Sequence, residues 1–291
     1  MGKKILITGA NGAFGLLTVQ ALLKAGHHVA ATLREPQGRN APVTKTLRDA
    51  GATVIEIDVT DDASVAQGVT TAIEALSGLD ALINVAGTGT HGLTEGFSAD
   101  QMLKLFDINV VGVHRMIRGV LPTLREQGTG LVINVSSLLG RLSLPFYGPY
   151  SATKWAVESL SDTYRAELSQ YGVDFVLVEP GGFATSWIDN LVLPQDRTRL
   201  EQYGDFSHVP EQALKAYEAL LATRPDQDPA NVSKTILSLV EAPDGTRQAR
   251  TTVDCLGMGE HVEQMNQILA QVTAGIYQAF GTENLLKLKV R

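Results

Sequence analysis

Short β-branched runs alternate with longer helix-like stretches from residue 3 onward, and this alternation limits the possible fold more than any other feature of the chain. Strands are expected at 3–8, 28–33, 53–57, 80–84, 131–136 and 173–178, with a last one near 251–255. Helical segments are expected near 13–25, 62–77, 100–126, 150–171, 211–223 and 229–241. Ile5-Leu6-Ile7 and Leu131-Val132-Ile133 are continuously apolar, as parallel strands buried on both faces must be. The expected class is therefore α/β, a doubly wound parallel sheet. No Pro/Gly/Ser linker, low-complexity tract or repeat divides the chain, so residues 1–291 read as a single domain.

The stretch from 186 to 228 breaks the rhythm. It carries Trp187, Leu191, Val192, Leu193, Tyr203 and Phe206 among charges and prolines, after the carboxyl end of the sixth strand. Ligands of open α/β sheets bind outside those strand ends, which makes 186–228 a candidate helical lid over a substrate. An ordinary surface excursion packing its own small core is the competing reading.

With 291 residues, 44% of them hydrophobic and 19% charged, the chain can bury a large core. A net charge of −7 without a basic block argues against a nucleic-acid surface. No apolar stretch approaches the roughly 20 residues that span a bilayer. The basic-apolar start, Lys3 to Thr8, runs into a glycine loop and reads as a strand, not a signal segment. The single cysteine, Cys255, excludes an internal disulfide and a Cys-rich metal site, and no His pair has ligand spacing. No metal is expected, and the cytoplasm is the expected compartment.

Thr8-Gly9-Ala10-Asn11-Gly12-Ala13-Phe14-Gly15 joins the first strand to the first helix. Glycines there let the backbone approach a pyrophosphate held at the helix N-terminus. About 20 residues on, an acid would bind a ribose diol and an arginine a 2′-phosphate. The second strand ends in Arg34, so NADP(H) is expected over NAD(H), although a solvated arginine beside Glu35 and Arg39 fits the same residues. Asp58, ahead of Val59, suits an adenine amino group.

Tyr150 and Lys154 lie one helical turn apart, with phenol and ammonium on the same face. A nearby cation favours the phenolate and can draw a tyrosine toward working pH, giving an acid for an alkoxide or a base for an alcohol. Such a pair by itself is also common on an amphipathic surface turn.

The glycine loop, Asn84-Val85-Ala86-Gly87, Ser136-Ser137, Tyr150-Ser-Ala-Thr-Lys154 and Pro180-Gly181 follow one another in an order that resembles the short-chain dehydrogenase/reductases of single-domain type. The likeness runs through residues 3 to 255 and implies a Rossmann-type fold and hydride transfer between a nicotinamide and a carbonyl or secondary alcohol. It implies Tyr150 as general acid/base and Lys154 as the group that lowers its pKa and holds the nicotinamide ribose. Ser137 would polarise the substrate oxygen, and Asn109 would hold a proton-relay water. Cofactor contacts are implied at Gly9, Asn11, Ala13, Phe14, Gly15, Arg34, Asp58, Val59, Asn84, Ala86, Gly87, Tyr150, Lys154, Pro180, Gly181, Phe183 and Thr185. The residues after Glu179-Pro180-Gly181 look like those of relatives acting on steroids, retinoids or other lipophilic alcohols. The glycine loop departs from the usual pattern: its spacing is commoner among nucleotide-sugar epimerases and inactive NADP sensors. A non-catalytic NADP-binding regulator and an epimerase or dehydratase therefore stand as alternatives. Family members pair through the helices near 100–126 and 150–171, so a homodimer or tetramer is expected.

His91 reads as a solvated loop residue, with a pocket role as the alternative. Tyr147 cannot be the paired tyrosine, since its fourth neighbour is Ser151, but it can line the pocket. Trp155 packs the core or a subunit face.

Overall fold

In the computed structural model, which describes residues 2–290, seven parallel strands form one sheet with helices on both faces. The strands are β1 (Lys4–Ile7), β2 (His28–Leu33), β3 (Thr53–Glu56), β4 (Ala81–Asn84), β5 (Gly130–Val135), β6 (Val173–Pro180) and β7 (Arg250–Val253). Their order is β3-β2-β1-β4-β5-β6-β7. Side-chain alternation along β1 divides the core. Ile5 and Ile7 face a layer containing Val19, Leu22, Val232 and Ile236. Leu6 faces one containing Val65, Met116, Ile117 and Phe175. Each such aliphatic side chain, fully buried, contributes about 1.5–3 kcal/mol, which is why central strands with no polar alternation are stable here.

The helices are α1 (Ala13–Lys24), α2 (Ala41–Asp49), α3 (Asp62–Leu76), α4 (Ala99–Phe106), α5 (Gly112–Gln127), α6 (Gly148–Ser169), α7 (Arg197–Glu201), α8 (Val209–Ala222), α9 (Ala230–Glu241) and α10 (Met258–Ala279). Their starts follow local chemistry. Asp61 caps α3 by accepting from the Ser64 N–H at 2.7 Å, and Ser98 and Gln101 form a reciprocal capping box on α4. The single helix expected over 100–126 is interrupted by a wider π-helical turn, Asp107–Val111, that centres on Asn109. Such turns cluster at functional sites because they rotate one residue out of the helical register.

Apart from the short α7 within the expected lid, two helices were not expected from the sequence. α2 is short and polar, with only Thr44 and Leu47 buried, so its periodicity is too weak to register. α10 follows β7, after the strand–helix alternation that located the other helices has ended, and it turns its apolar stripe outward. Among the described residues no helix is long and apolar enough to cross a membrane.

Candidate active site

The chain leaves β1 toward β2 on one side and returns to β4 on the other, so a crevice opens at the carboxyl ends of these two neighbouring strands. It holds a cavity of about 890 Å³ that extends from Arg34 and Asp58, past the glycine loop, to Ser137, Tyr150 and Trp187.

The glycine-loop end is held by backbone contacts. Gly9 has φ +68°, and a Cβ there would lie 2.7 Å from the Ala86 nitrogen, so the loops after β1 and β4 touch only because it is glycine. The Thr8 hydroxyl accepts from the N–H groups of Val85 and Ala86, each at 3.1 Å. α1 starts at Gly12 with no side-chain cap and no acid in its first turn. Its first N–H groups and dipole are thus available to an anion, and Asn11, Gly12, Ala13 and Phe14 line the cavity beside them. This donor set fits a dinucleotide pyrophosphate.

At the far end Arg34, half exposed, lies 3.9 Å from Asp58. Asn40 Nδ2 donates to the Arg34 carbonyl at 2.6 Å, and Arg39 and Asn40 also line the cavity. Burial pushes the Asp58 carboxyl up, but the Thr60 N–H and hydroxyl, then the Arg34 guanidinium, outweigh it and hold the group below its ordinary value. Asp58 therefore stays an acceptor.

The other end is built on α6. Its inward residues are Tyr150, Ser151, Thr153, Lys154, Val157, Glu158 and Ser161, a polar face turned into the protein. Burying such groups is costly unless each is bonded. The Lys154 ammonium donates to the Val135 carbonyl at 2.9 Å, at the end of β5, and lies 5.6 Å from the centre of the Tyr150 ring. Ser137 follows β5; its hydroxyl accepts from the Leu139 N–H at 3.1 Å and faces the Pro180 carbonyl at 3.5 Å. Asn109 Nδ2 donates to the Thr88 carbonyl at 2.9 Å and to Thr153 Oγ1 at 3.0 Å, while its Oδ1 accepts from the Thr88 N–H at 2.9 Å. Asn109 thus ties the loop after β4 to the helix that carries Tyr150 and Lys154, and its side chain does not line the cavity.

The electrostatics differ from the expectation that the lysine draws the tyrosine down. Burial raises the Tyr150 phenol, with the Ser137 hydroxyl working the other way and Tyr147 adding to the rise. Burial lowers the Lys154 ammonium to about 8, against a smaller pull upward from Glu158. Desolvation dominates both because each group is buried, with about 8% of its surface exposed. For stability, a lysine depressed from 10.5 in the unfolded chain to about 8 when folded carries its full penalty below about pH 8 and none above 10.5. The stability difference between the wild type and Lys154→Met is therefore expected to shift in favour of the wild type as pH rises from about 8, by up to about 3 kcal/mol. Urea denaturation of both proteins across that range measures it; a constant difference would contradict the depressed lysine.

The segment expected as a lid closes this end. Trp187 packs edge-on against Tyr150 with ring centres 5.3 Å apart. His91 pairs with the segment through its backbone N–H, which donates to Val192 O at 3.1 Å. Its Nε2–H donates to the carbonyl of Pro210, in the first turn of α8, at 2.8 Å. His91 is consequently buried, with its ring 4.7 Å from Tyr147, and not the solvated loop residue the sequence suggested. Tyr147 and Tyr217 line the cavity here. Burial pushes the Tyr217 phenol up to about 12.

Of the residues singled out beforehand, Gly9, Asn11, Ala13, Phe14, Arg34, Asp58, Val59, Ala86, Gly87, Ser137, Tyr150, Lys154, Pro180, Gly181, Phe183 and Thr185 line this one cavity. Gly15 does not: its α-carbon packs on the Gly9 carbonyl, which holds α1 close to the loop. Asn84 does not either. Its Nδ2 donates to Asn134 Oδ1 at 2.9 Å between β4 and β5, inside the sheet. Trp155 is on the surface with the Arg141 guanidinium 5.9 Å over its ring. Thr8, at the head of the glycine loop, and His91, for which a pocket role was the alternative, also line the cavity, while Arg39, Asn40, Tyr217 and Met258 line it without having been named as site residues. Of the unnamed four, Arg39 and Asn40 share the loop of Arg34, while Tyr217 and Met258 arrive from distant parts of the chain.

A parallel Rossmann-type sheet with an uncapped glycine loop at one end of a crevice and a buried Ser-Tyr-Lys set at the other defines a nucleotide-dependent oxidoreductase. The chain belongs to the short chain dehydrogenase family, whose profile matches residues 3–195. A 3-ketodihydrosphingosine reductase of Bacteroides thetaiotaomicron is 35% identical over 201 residues, 69% of this chain and 71% of its own length. Among solved structures, a variant of the actinorhodin polyketide ketoreductase with NADPH superposes with a TM-score of 0.72 at 26% identity, covering 89% of this chain and 99% of its own. A short chain dehydrogenase/reductase of Burkholderia phymatum in complex with NAD gives 0.72 at 25% identity, covering 91% and 92%. A nicotinamide cofactor follows for this chain.

Proposed function

We propose that the protein is an NADP(H)-dependent oxidoreductase that interconverts a ketone and a secondary alcohol on a lipophilic substrate. The observation that carries this is the convergence of Ser137, Tyr150 and Lys154 on one wall of a cavity whose other end holds Arg34 and Arg39. When bound, the nicotinamide supplies or accepts the hydride. Gly9 to Phe14 would hold its pyrophosphate, Arg34 and Arg39 its 2′-phosphate, and Thr185 its carboxamide.

The residues of this chain do the rest. Ser137 and Tyr150 hydroxyls donate to the carbonyl oxygen where negative charge develops, and Tyr150 gives up its proton to the alkoxide. Lys154 stabilises the phenolate left behind. In that state its positive charge is favoured, so its pKa rises as the tyrosine ionises. Asn109 keeps the loop after β4 and α6 in register. Residues 186–228 act as the lid: Trp187, Ile188 and Ala213, with Leu144, Pro145 and Phe146 opposite, present an apolar wall. That wall, and the sphingoid ketone in the name of one relative, support a long-chain or ring ketone. A non-catalytic regulator is disfavoured by the site itself, since a binding-only protein gains nothing from burying an ammonium and a phenol together.

The lid seats on Gly89, where a Cβ would lie 2.1 Å from the Trp187 indole and 2.7 Å from Leu191 Cδ2. Gly89→Ala is expected to push Trp187 off Tyr150 and raise KM about tenfold, roughly the 1.4 kcal/mol of a partly lost apolar contact. Cofactor affinity should be unchanged, and an unaltered KM would argue against 186–228 as a substrate lid. The function itself is tested by titrating with NADPH and NADH by fluorescence and following absorbance at about 340 nm over ketones of increasing chain length. Selective NADPH binding and oxidation on apolar ketones is expected. Tight binding without turnover on any of them would favour the regulator.

A further inference from the structure

The last helix has a face that nothing in the described chain covers. α10 is anchored only at its start: Val262 is buried, and Asn266 accepts from Arg141 Nε at 2.8 Å and donates to Glu179 Oε2 at 2.7 Å. Past Asn266 no residue of the helix is buried. Met265, Ile268, Val272 and Ile276 are exposed there, with Phe280 directly after the helix; Ile268 is 61%, Val272 52% and Phe280 78% accessible. At 3.6 residues per turn these five side chains fall within roughly 120° of arc, a single stripe.

The stripe has two properties that single out its occupant. From Gln264 to Gly281 the chain contains no Asp, Glu, Lys or Arg. The spacing is also symmetric about Val272: Ile268 and Ile276 stand four residues to either side, and Met265 and Phe280 seven and eight. A surface that must meet its own copy around a twofold axis has to match itself in this way.

We infer that α10 pairs with α10 of a second copy of this chain, antiparallel, about a twofold axis at Val272. Ile268 of each copy then packs on Ile276 of the other, and Met265 approaches Phe280. A parallel pair would set Glu260 and Glu263 against their own copies and align the two helix dipoles; the antiparallel pair separates both. The exposed apolar side chains present on the order of 500 Å². Leu269, Thr273 and Ala279, which fall within or beside the stripe and are not buried, enlarge that toward the roughly 800 Å² per partner of a standard interface. An anionic membrane is a poor alternative, because a helix lying on one carries Lys and Arg on its polar face, and this one carries none from 264 to 281 in a chain of net charge −7.

Single cysteines placed in a Cys255→Ser background test the register as well as the contact. Val272→Cys is expected to give a disulfide-linked dimer under mild oxidation. Ile268→Cys and Ile276→Cys alone should stay unlinked, because each would lie about 12 Å along the helix from its own copy, beyond the roughly 7 Å Cα separation a disulfide allows. Mixed together, those two should link to each other. Adding Ile268→Glu to Val272→Cys should abolish the link while circular dichroism and melting temperature stay those of a folded protein. An unlinked, folded Val272→Cys protein would overturn the proposal, as would equal linking of all three single variants. Association through α5 and α6 alone leaves the thiols apart and gives the first of these results. Co-sedimentation of the unlinked wild-type protein with phosphatidylcholine vesicles would overturn it too, by assigning the stripe to lipid.

Discussion

Tyr150→Phe is expected to lower kcat by a hundredfold to about ten-thousandfold, the range general acid catalysis supplies, while the Kd for NADPH changes less than about twofold. Removing one oxygen leaves the ring, and with it the packing on Trp187 at 5.3 Å and the contact with the Lys154 ammonium. No hydrogen-bond partner within the fold is orphaned except Ser137, which retains the Leu139 N–H and the Pro180 carbonyl. The variant should therefore be as stable as the wild type or slightly more so, since a phenyl group buries no hydroxyl that needs a hydrogen-bond partner. Pre-steady-state mixing with NADPH and a ketone substrate separates the chemical step from binding. A kcat within tenfold of the wild type would remove Tyr150 as the proton donor.

The second large effect concerns cofactor choice. Arg34→Asp is expected to weaken NADPH about 10- to 100-fold, from the loss of one or two charge-assisted hydrogen bonds of about 1.5–3 kcal/mol. The new carboxylate can accept from the two ribose hydroxyls of NADH, so the NADPH:NADH preference in kcat/KM should shift by roughly 100- to 1000-fold. Arg39 lines the same end and retains part of the phosphate affinity; Arg34→Asp combined with Arg39→Gln should complete the change. Asp58 adds to the effect, because it loses the guanidinium 3.9 Å away and gains a second carboxylate beside it. Its backbone and hydroxyl bonds from Thr60, at 3.0 and 2.8 Å, keep it in place. Equal ratios of the two cofactors in wild type and variant would show that Arg34 does not read the phosphate.

Much of the frame was legible before any coordinates. Ile5-Leu6-Ile7 and Leu131-Val132-Ile133 could belong only to strands buried on both faces, and the intervening helical periods allowed only crossovers between parallel strands. The glycine loop, Arg34, Ser137, Tyr150 and Lys154 were readable because each sits at a fixed offset from an element end. Asn84 and Gly15 show the limit of that reasoning. Both belong to recognisable motifs, yet the fold uses one to join β4 to β5 and the other to seat α1, and neither faces the cavity. α2 and α10 were missed because α2 seats only two residues in the core and α10 follows the last strand, where the strand–helix alternation that located the other helices has ended.

The sequence by itself determined the sheet, the placement of the nucleotide loop and the one-turn separation of Tyr150 and Lys154, because all three rest on local periodicity and on backbone rules that act within a few residues. Only the tertiary structure decided how those groups are charged and what closes over them. Desolvation depends on which segments, remote in sequence, exclude water from a side chain. Here the Trp187 segment, the His91 loop and α8 meet over α6. That meeting raises the tyrosine, lowers the lysine to about 8 and buries a histidine that by its neighbours in sequence belonged to solvent.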